Sequence, residues 1–181
     1  MARVLVPLAD GCEEIEAVTL IDILRRGGVE VVAASLVGRL VHGNHGIGLE
    51  TDASLDEAAG QSFDMIVLPG GQPGATHLGA DARVQGLLRE FAAGGRYVAA
   101  ICAAPGVLAQ AGLLEGKKAT SFPGAIPDTK GMSYMESAVV RDGNIITSRG
   151  PGTAMDFALE LLELLQGTGT RAAVEARLMR R

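Results

Sequence analysis

The amino-acid sequence predicts an α/β layer sandwich around a mostly parallel central sheet. Three observations carry that expectation. The first 37 residues hold an apolar strand, an amphipathic helix and a second apolar strand, a βαβ unit whose strands lie parallel with a right-handed crossover. Further short aliphatic runs at 64–68 and 97–101 each end at small or glycine residues, with helix-period segments between and after them. No linker, repeat or low-complexity stretch divides the 181 residues, so they read as one domain, 1–181. The expected fold is therefore a flavodoxin-like three-layer sandwich.

In order along the chain, "RVLVPL" (3–8) is a buried strand and Gly11 marks the loop after it. "EIEAVTLIDILRRGG" places Ile15, Val18, Ile21 and Leu24 in helical rhythm and ends on a glycine pair, a common helix stop. "VEVVAASLV" (29–37) is the next strand. The alternating, glycine-rich "RLVHGNHGIGLETD" (39–52) reads as a hairpin off the main sheet, and Ser54 with Glu57 has capping-box spacing for a short helix. "DMIVLPGG" (64–71) is a strand halted by Pro69-Gly70-Gly71, and "DARVQGLLREFAAGG" (81–95) is an amphipathic helix. Tyr97 to Ile101 form a strand and Ala103 to Gly112 a helix, with Pro105 in the first turn, where proline is tolerated. "KKATS" (117–121) reads as a strand and 122–136 as a loop. "SAVVRDGNIITS" (137–148) is a hairpin turning at Asp142-Gly143. "RGPGT" leads into the helix "AMDFALELLELLQG", and the tail after Gly169 is a last surface helix.

The bulk numbers exclude several function classes. At 48% hydrophobic and 3% aromatic, with no Trp, the core must be aliphatic. A net charge of −5 without a basic block argues against a nucleic-acid groove or a polybasic membrane patch. The apolar runs fall far short of the ~18 residues of a spanning helix, and Met1-Ala2-Arg3 leads straight into a strand, unlike a secretory signal. Cys12 and Cys102 make no disulfide framework, and neither C-x-x-C nor H-x-x-x-H spacing is present to suggest a metal. A soluble, cytoplasmic protein is expected.

Ligands of open α/β sheets bind beyond the carboxyl ends of the strands. Three features fall there: the acidic loop "DGCEEIE" (10–16), the turn "LPGG" (68–71) and Cys102. A cysteine between strand and helix is exposed at a sharp turn, and the helix start favours its thiolate, which predicts a depressed pKa. Gly70 and Gly71 let backbone N–H groups approach a substrate oxygen. Free cysteine is also among the most buried residue types, and packing alone accounts for Cys12. Glu13, Glu14 and Glu16 suit a helix N-terminus; periodicity does not select which of them faces the thiol, where a protonated carboxyl would serve as acid and base. His42, His45 and His77 read as surface or interface residues, and no phosphate-loop motif occurs.

Together, "GCEEIEAVTLIDILRRGG", "TDASL", "DMIVLPGG", "VAAICAAP", "TSFPG" and "ITSRGPGTAMDFAL" resemble the DJ-1/ThiJ/PfpI superfamily over nearly the whole chain, most of all its bacterial YajL-like branch. The resemblance implies that Cys102 is the reactive cysteine and Glu16 its partner carboxyl. It further implies that the amides of Gly71 and Ala103 face the substrate oxygen, and that Phe122 and Arg149 line the pocket. Phe122 stands where many members carry His before the proline, and Ala103 where the protease-like branch has His, so peptide hydrolysis is disfavoured. The implied function is cofactor-independent action on reactive carbonyls: a deglycase or glyoxalase converting methylglyoxal-type 2-oxoaldehydes, or their adducts on protein and nucleotide groups, to hydroxy acids. The alternatives are a redox sensor or redox-regulated chaperone working through Cys102 oxidation, and, lower, a cysteine peptidase. A homodimer joined around Arg26 and His45 is implied as well.

Overall fold

The computed structural model describes residues 1–180. Its strands are β1 (Arg3–Leu8), β2 (Glu30–Ser35), β3 (Leu40–His42), β4 (Gly48–Glu50), β5 (Ala53–Ser54), β6 (Met65–Leu68), β7 (Tyr97–Ile101), β8 (Lys118–Ala119), β9 (Ser133–Tyr134), β10 (Val139–Asp142) and β11 (Ile145–Ser148). Its helices are α1 (Glu14–Arg26), α2 (Leu55–Ala59), α3 (Gly74–Ala80), α4 (Ala82–Ala93), α5 (Pro105–Gln110), α6 (Ala154–Gln166) and α7 (Thr168–Arg177), with a 3-10 turn at Pro151–Thr153.

Seven strands form the central sheet in the order β10-β11-β7-β6-β1-β2-β5. Only the β10–β11 hairpin is antiparallel. Alternation along the strands decides which helices each face receives. Val4 and Val6 of β1, Val67 of β6 and Ala99 and Ile101 of β7 point to one side. There they meet Leu20, Ile23 and Leu24 of α1 and Phe157, Leu161 and Leu162 of α6. Leu5, Ile66, Leu68, Val98 and Ala100 point the other way, onto Leu55 of α2, Leu78 of α3, Leu88 and Phe91 of α4 and Leu108 of α5. This is the flavodoxin-like three-layer arrangement. The hairpin at 39–52 does lie off the main sheet, as the two-stranded pair β3–β4. Ser54 and Glu57 close both bonds of a capping box at α2.

Three local expectations are corrected. The segment after the glycine turn, to which the sequence assigns no element, is helix α3. The strand at 117–121 shrinks to Lys118–Ala119 and pairs with Ser133–Tyr134 inside the expected loop, outside the central sheet. The helix after Cys102 begins at Pro105, because Cys102 to Ala104 are taken up by the turn that precedes it. None of the described helices is long and apolar enough to cross a membrane.

Candidate active site

The loops leaving β1, β6 and β7 converge at one end of the sheet, with Cys102 at their centre. Its φ is +65°, a left-handed conformation in which a residue with a Cβ stores strain of about 1–3 kcal/mol. Neighbouring backbone holds it there. Cys102 N–H donates to Ser148 O (2.9 Å), Phe122 N–H donates to Cys102 O (2.8 Å), and Ala104 N–H closes a turn onto Ile101 O (3.0 Å). β7 and the turn therefore present the sulfur at the point where the sheet ends.

Glu16, in the first turn of α1, is wholly buried beneath this turn. Its Oε2 accepts a 2.7 Å bond from Gly70 N–H. Oε1 is buried without an aligned partner, although the carboxyl and the Cys102 thiol lie close enough to shift one another's titration. Burial raises Glu16 to about 7, against the lowering influence of the Gly70 N–H bond and the Cys102 contact. Burial, then the charge and hydrogen bonding of Glu16, push the Cys102 thiol up to about 12, against N–H donors from Gly71 and Ala103. The depression expected from the helix start is thus opposed by burial and by Glu16. Opposite an ionised Glu16 in a dry site, burial and like charge outweigh the amides.

The two groups act as one titrating unit. With a single proton between them, the thiolate–carboxylic acid form gives sulfur three donors: Gly71 N–H, Ala103 N–H and the Glu16 hydroxyl. The thiol–carboxylate form leaves Glu16 with Gly70 N–H and the thiol. Such a pair can pass a proton between carbon, oxygen and sulfur without solvent.

The glycine turn is fitted to this spot. A Cβ on Gly70 would lie 2.7 Å from Cys102 Cβ and 2.8 Å from Ala103 N, and Gly71 adopts φ +87°, where an added Cβ would come within 2.3 Å of Glu13 N. Gly70 is corrected as an oxyanion donor, because its N–H is spent on Glu16. Gly71 and Ala103 remain. Beside the sulfur, a cleft of about 290 Å³ is lined by Phe122, Pro123, Arg149 and the 150–153 turn. Phe122 is half exposed at its rim, and Arg149 is anchored by a 3.0 Å bond to Glu136 O. Sequence reasoning missed Thr153, whose Oγ1 accepts from Gly150 N–H (3.1 Å) and bonds Ser148 Oγ (2.7 Å), fixing the turn beside Cys102. Its position three residues after Gly150, the capping spacing, is the signal that was available.

Cys12 is fully buried, and its thiol is raised to about 11 by burial and then by Glu14. His77 Nδ1 bonds Asp10 O, and His42 N–H donates to Asp10 Oδ1. Burial alone would raise Glu14. Hydrogen bonds from backbone N–H groups, including His45 and Ile47, and from the His45 ring prevail and hold it at about 2. Glu14 thus ties α1 to the β3–β4 hairpin.

A family model described as the DJ-1/PfpI family matches residues 2–164. Protein dj-1beta of Drosophila melanogaster is 46% identical over 166 residues, covering 90% of this chain and 89% of that protein. DJ-1 homolog B of Arabidopsis thaliana is 44% identical over 167 residues; these are 91% of this chain but 38% of the plant protein, so the chain spans well under half its length. A Pyrococcus abyssi protein named a deglycase is 34% identical over 167 residues, 91% of this chain and 99% of its own. The crystal structure of Drosophila DJ-1beta superposes with a TM-score of 0.96 at 43% identity, covering 99% and 98% of the two chains. Oxidised Toxoplasma gondii DJ-1 gives 0.94 at 37% identity, also covering 99% and 98%.

Proposed function

The chain belongs to the DJ-1/PfpI family, and from that premise we propose that it is a cofactor-independent enzyme acting on reactive carbonyls, with Cys102 as nucleophile and Glu16 as proton carrier. The observation that carries this reading is the buried Glu16 carboxyl set against a thiol held at φ +65°. A carboxyl raised to about 7 has a pKa suited to giving and taking protons near neutral pH.

In the mechanism, Cys102 thiolate adds to the aldehyde carbon of a 2-oxoaldehyde such as methylglyoxal, forming a C–S bond. The carbonyl oxygen becomes an alkoxide facing Gly71 and Ala103 N–H, then takes the Glu16 proton to give a hemithioacetal. Glu16 carries the proton of the former aldehyde carbon to the adjacent carbon, and the hydroxyl proton passes from the former aldehyde oxygen to the former ketone oxygen, leaving a 2-hydroxy thioester. Water cleaves the thioester, releasing the 2-hydroxy acid and restoring the thiol. The sum is aldehyde plus water to hydroxy acid, with no external oxidant or reductant. The deglycase version begins from an early glyoxal adduct on an Arg, Lys, Cys or guanine group and returns the free amine or thiol. The relative named a deglycase supports that class of substrate.

Within the family, Phe122 and Ala103 support a YajL-like assignment, since neither supplies the imidazole of the other branches. The same two positions argue against peptide cleavage, which needs an acid for the departing nitrogen. Two free cysteines and no disulfide suit a reducing, cytoplasmic setting. We read the protein as a homodimer.

A second reading is favoured by the donors around the sulfur. Gly71, Ala103 and protonated Glu16 would equally hold the oxygens of a Cys102 sulfinate formed by peroxide, making the site a redox sensor. Incubation with excess methylglyoxal separates the two. An enzyme forms lactate over many turnovers and loses this in Cys102→Ser, leaving casein intact throughout. Lactate formation that survives in Cys102→Ser, or none at all in unoxidised wild type, overturns the enzymatic reading.

A further inference from the structure

Three glycines approach Cys102, and two of them have structural reasons to be glycine. Gly70 has no room for a Cβ, and Gly71 adopts φ +87°. Gly150 has neither reason. Its φ of 169° is extended backbone open to any residue. A Cβ there would meet only Phe122 Cδ2 at 3.6 Å and Cys102 Sγ at 3.9 Å, ordinary van der Waals distances. The absent side chain therefore leaves a methyl-sized gap between the reactive sulfur and the Phe122 ring. The gap is apolar. Gly150 N–H donates to Thr153 Oγ1 (3.1 Å) and Gly150 O accepts from Thr153 N–H (2.9 Å), so both backbone groups are engaged within the turn.

The sheet sets where this gap lies relative to the amide donors. β7, which leads into Cys102, runs between β6 and β11 and parallel to both. The β6 turn brings Gly71 N–H to the sulfur, and the β11 turn brings Gly150 to it from the other side. A carbonyl attacked by Cys102 places its oxygen at Gly71 and Ala103 N–H. The rest of the substrate then leaves the attacked carbon toward β11, where the cleft of about 290 Å³ opens. We propose that Gly150 is a specificity-determining residue, whose missing side chain seats the methyl group of a methylglyoxal-type 2-oxoaldehyde against Phe122. This rests on the enzymatic reading of the Cys102 site. One carbon more or less in a fitted apolar gap is worth about 10–200-fold in kcat/KM.

The test is Gly150→Ala, whose added methyl group occupies the gap itself. kcat/KM for methylglyoxal should fall about ten-fold or more, while that for glyoxal, which carries hydrogen in place of the methyl group, should stay within about two-fold of wild type. Tm should stay at the wild-type value, because the backbone conformation is open to alanine and the new contacts are ordinary ones. Equal losses on the two aldehydes, or an unchanged preference between them, overturn the proposal. A second readout needs no turnover. Mass spectrometry follows modification of Cys102 by methyl and by benzyl methanethiosulfonate, and the ratio of the two rates cancels any change in thiolate fraction. Gly150→Ala should slow the benzyl reagent about ten-fold more than the methyl reagent, and an unchanged ratio defeats the gap. Wild-type protein that turns over neither aldehyde would fail the enzymatic reading, while a shifted labelling ratio in the same preparation would still establish Gly150 as the size limit at Cys102.

Discussion

At the scale of single residues, Glu16 links stability to chemistry. A carboxyl raised from 4.5 to about 7 by burial holds its proton in the folded state over a pH range where the unfolded chain has released it. The folded state binds more protons across that window, so stability falls as pH rises from about 4.5 to about 7. At 1.36 kcal/mol per pH unit the full loss is about 3 kcal/mol. Glu16→Gln should therefore unfold at a higher Tm than wild type at pH 8, with the gap closing by pH 5, while turnover falls about 10²–10⁴-fold because an amide moves no proton. A variant that is less stable at pH 8, or fully active, removes Glu16 from this role. The cysteines differ in the same physical terms. Cys12 is fully buried with its thiol at about 11, whereas Cys102 shares a proton with Glu16 and lies under two N–H donors. Mild peroxide should place oxygens on Cys102 first, and mass spectrometry that finds Cys12 modified ahead of it would reverse the ranking.

At the scale of elements, the β6 turn and the β7 turn are fitted to each other through Gly70. Gly70→Ala would push a methyl group into Cys102 Cβ, Ala103 N and Ile101 O, all within 2.8 Å and mostly backbone. Overpacking of this kind costs about 1–3 kcal/mol, and the displaced turn should lose most of its activity. Gly86, in the middle of α4 with open space around it, is the control: Gly86→Ala should stabilise by up to about 1 kcal/mol and leave turnover alone. Paired Tm and turnover measurements check both signs, and equal behaviour of the two variants defeats the argument. These elements also show what was legible in the sequence. Aliphatic runs and glycine stops place β1, β6 and β7, and hence the carboxyl ends where ligands bind, because buried parallel strands need uninterrupted apolar residues. Helix α3 was not legible, since "GATHLGA" has too few apolar positions to show a period and is held by its packing beneath the loops. The Glu16–Cys102 contact joins residues 86 positions apart, so only the family resemblance, not spacing, singled out Glu16 among the three glutamates. The burial and the facing carboxylate that oppose the thiolate are tertiary facts as well.

At the scale of the whole molecule, α1 has two faces with different tasks. Its inner face packs so closely on α6 that a Cβ on Gly27 would lie 2.1 Å from Leu162 Cδ1. Its outer face leaves Ile15 and Val18 about half exposed, and the hairpin adds Leu40 and Ile47, each at 54–55% exposure. Val18, Ile21, Gly48 and Leu49 line one groove between helix and hairpin, so the two sets of apolar side chains form a continuous surface. An isolated exposed leucine is ordinary, but a contiguous apolar surface on a chain of this size marks an association face. A two-fold contact would bury the same patch on both copies. A carboxylate set in its middle would have to be desolvated without a partner, which costs several kcal/mol. Val18→Asp and Ile47→Asp should each convert a dimer into a monomer by light scattering, with unchanged circular dichroism because neither side chain belongs to the core. The Cys102 turn lies beside this face through Glu13 and Glu14, so dissociation should also slow turnover. Wild-type protein that runs as a monomer at micromolar concentration, or variants that stay dimeric, would show that the α1–hairpin surface is not where two chains meet.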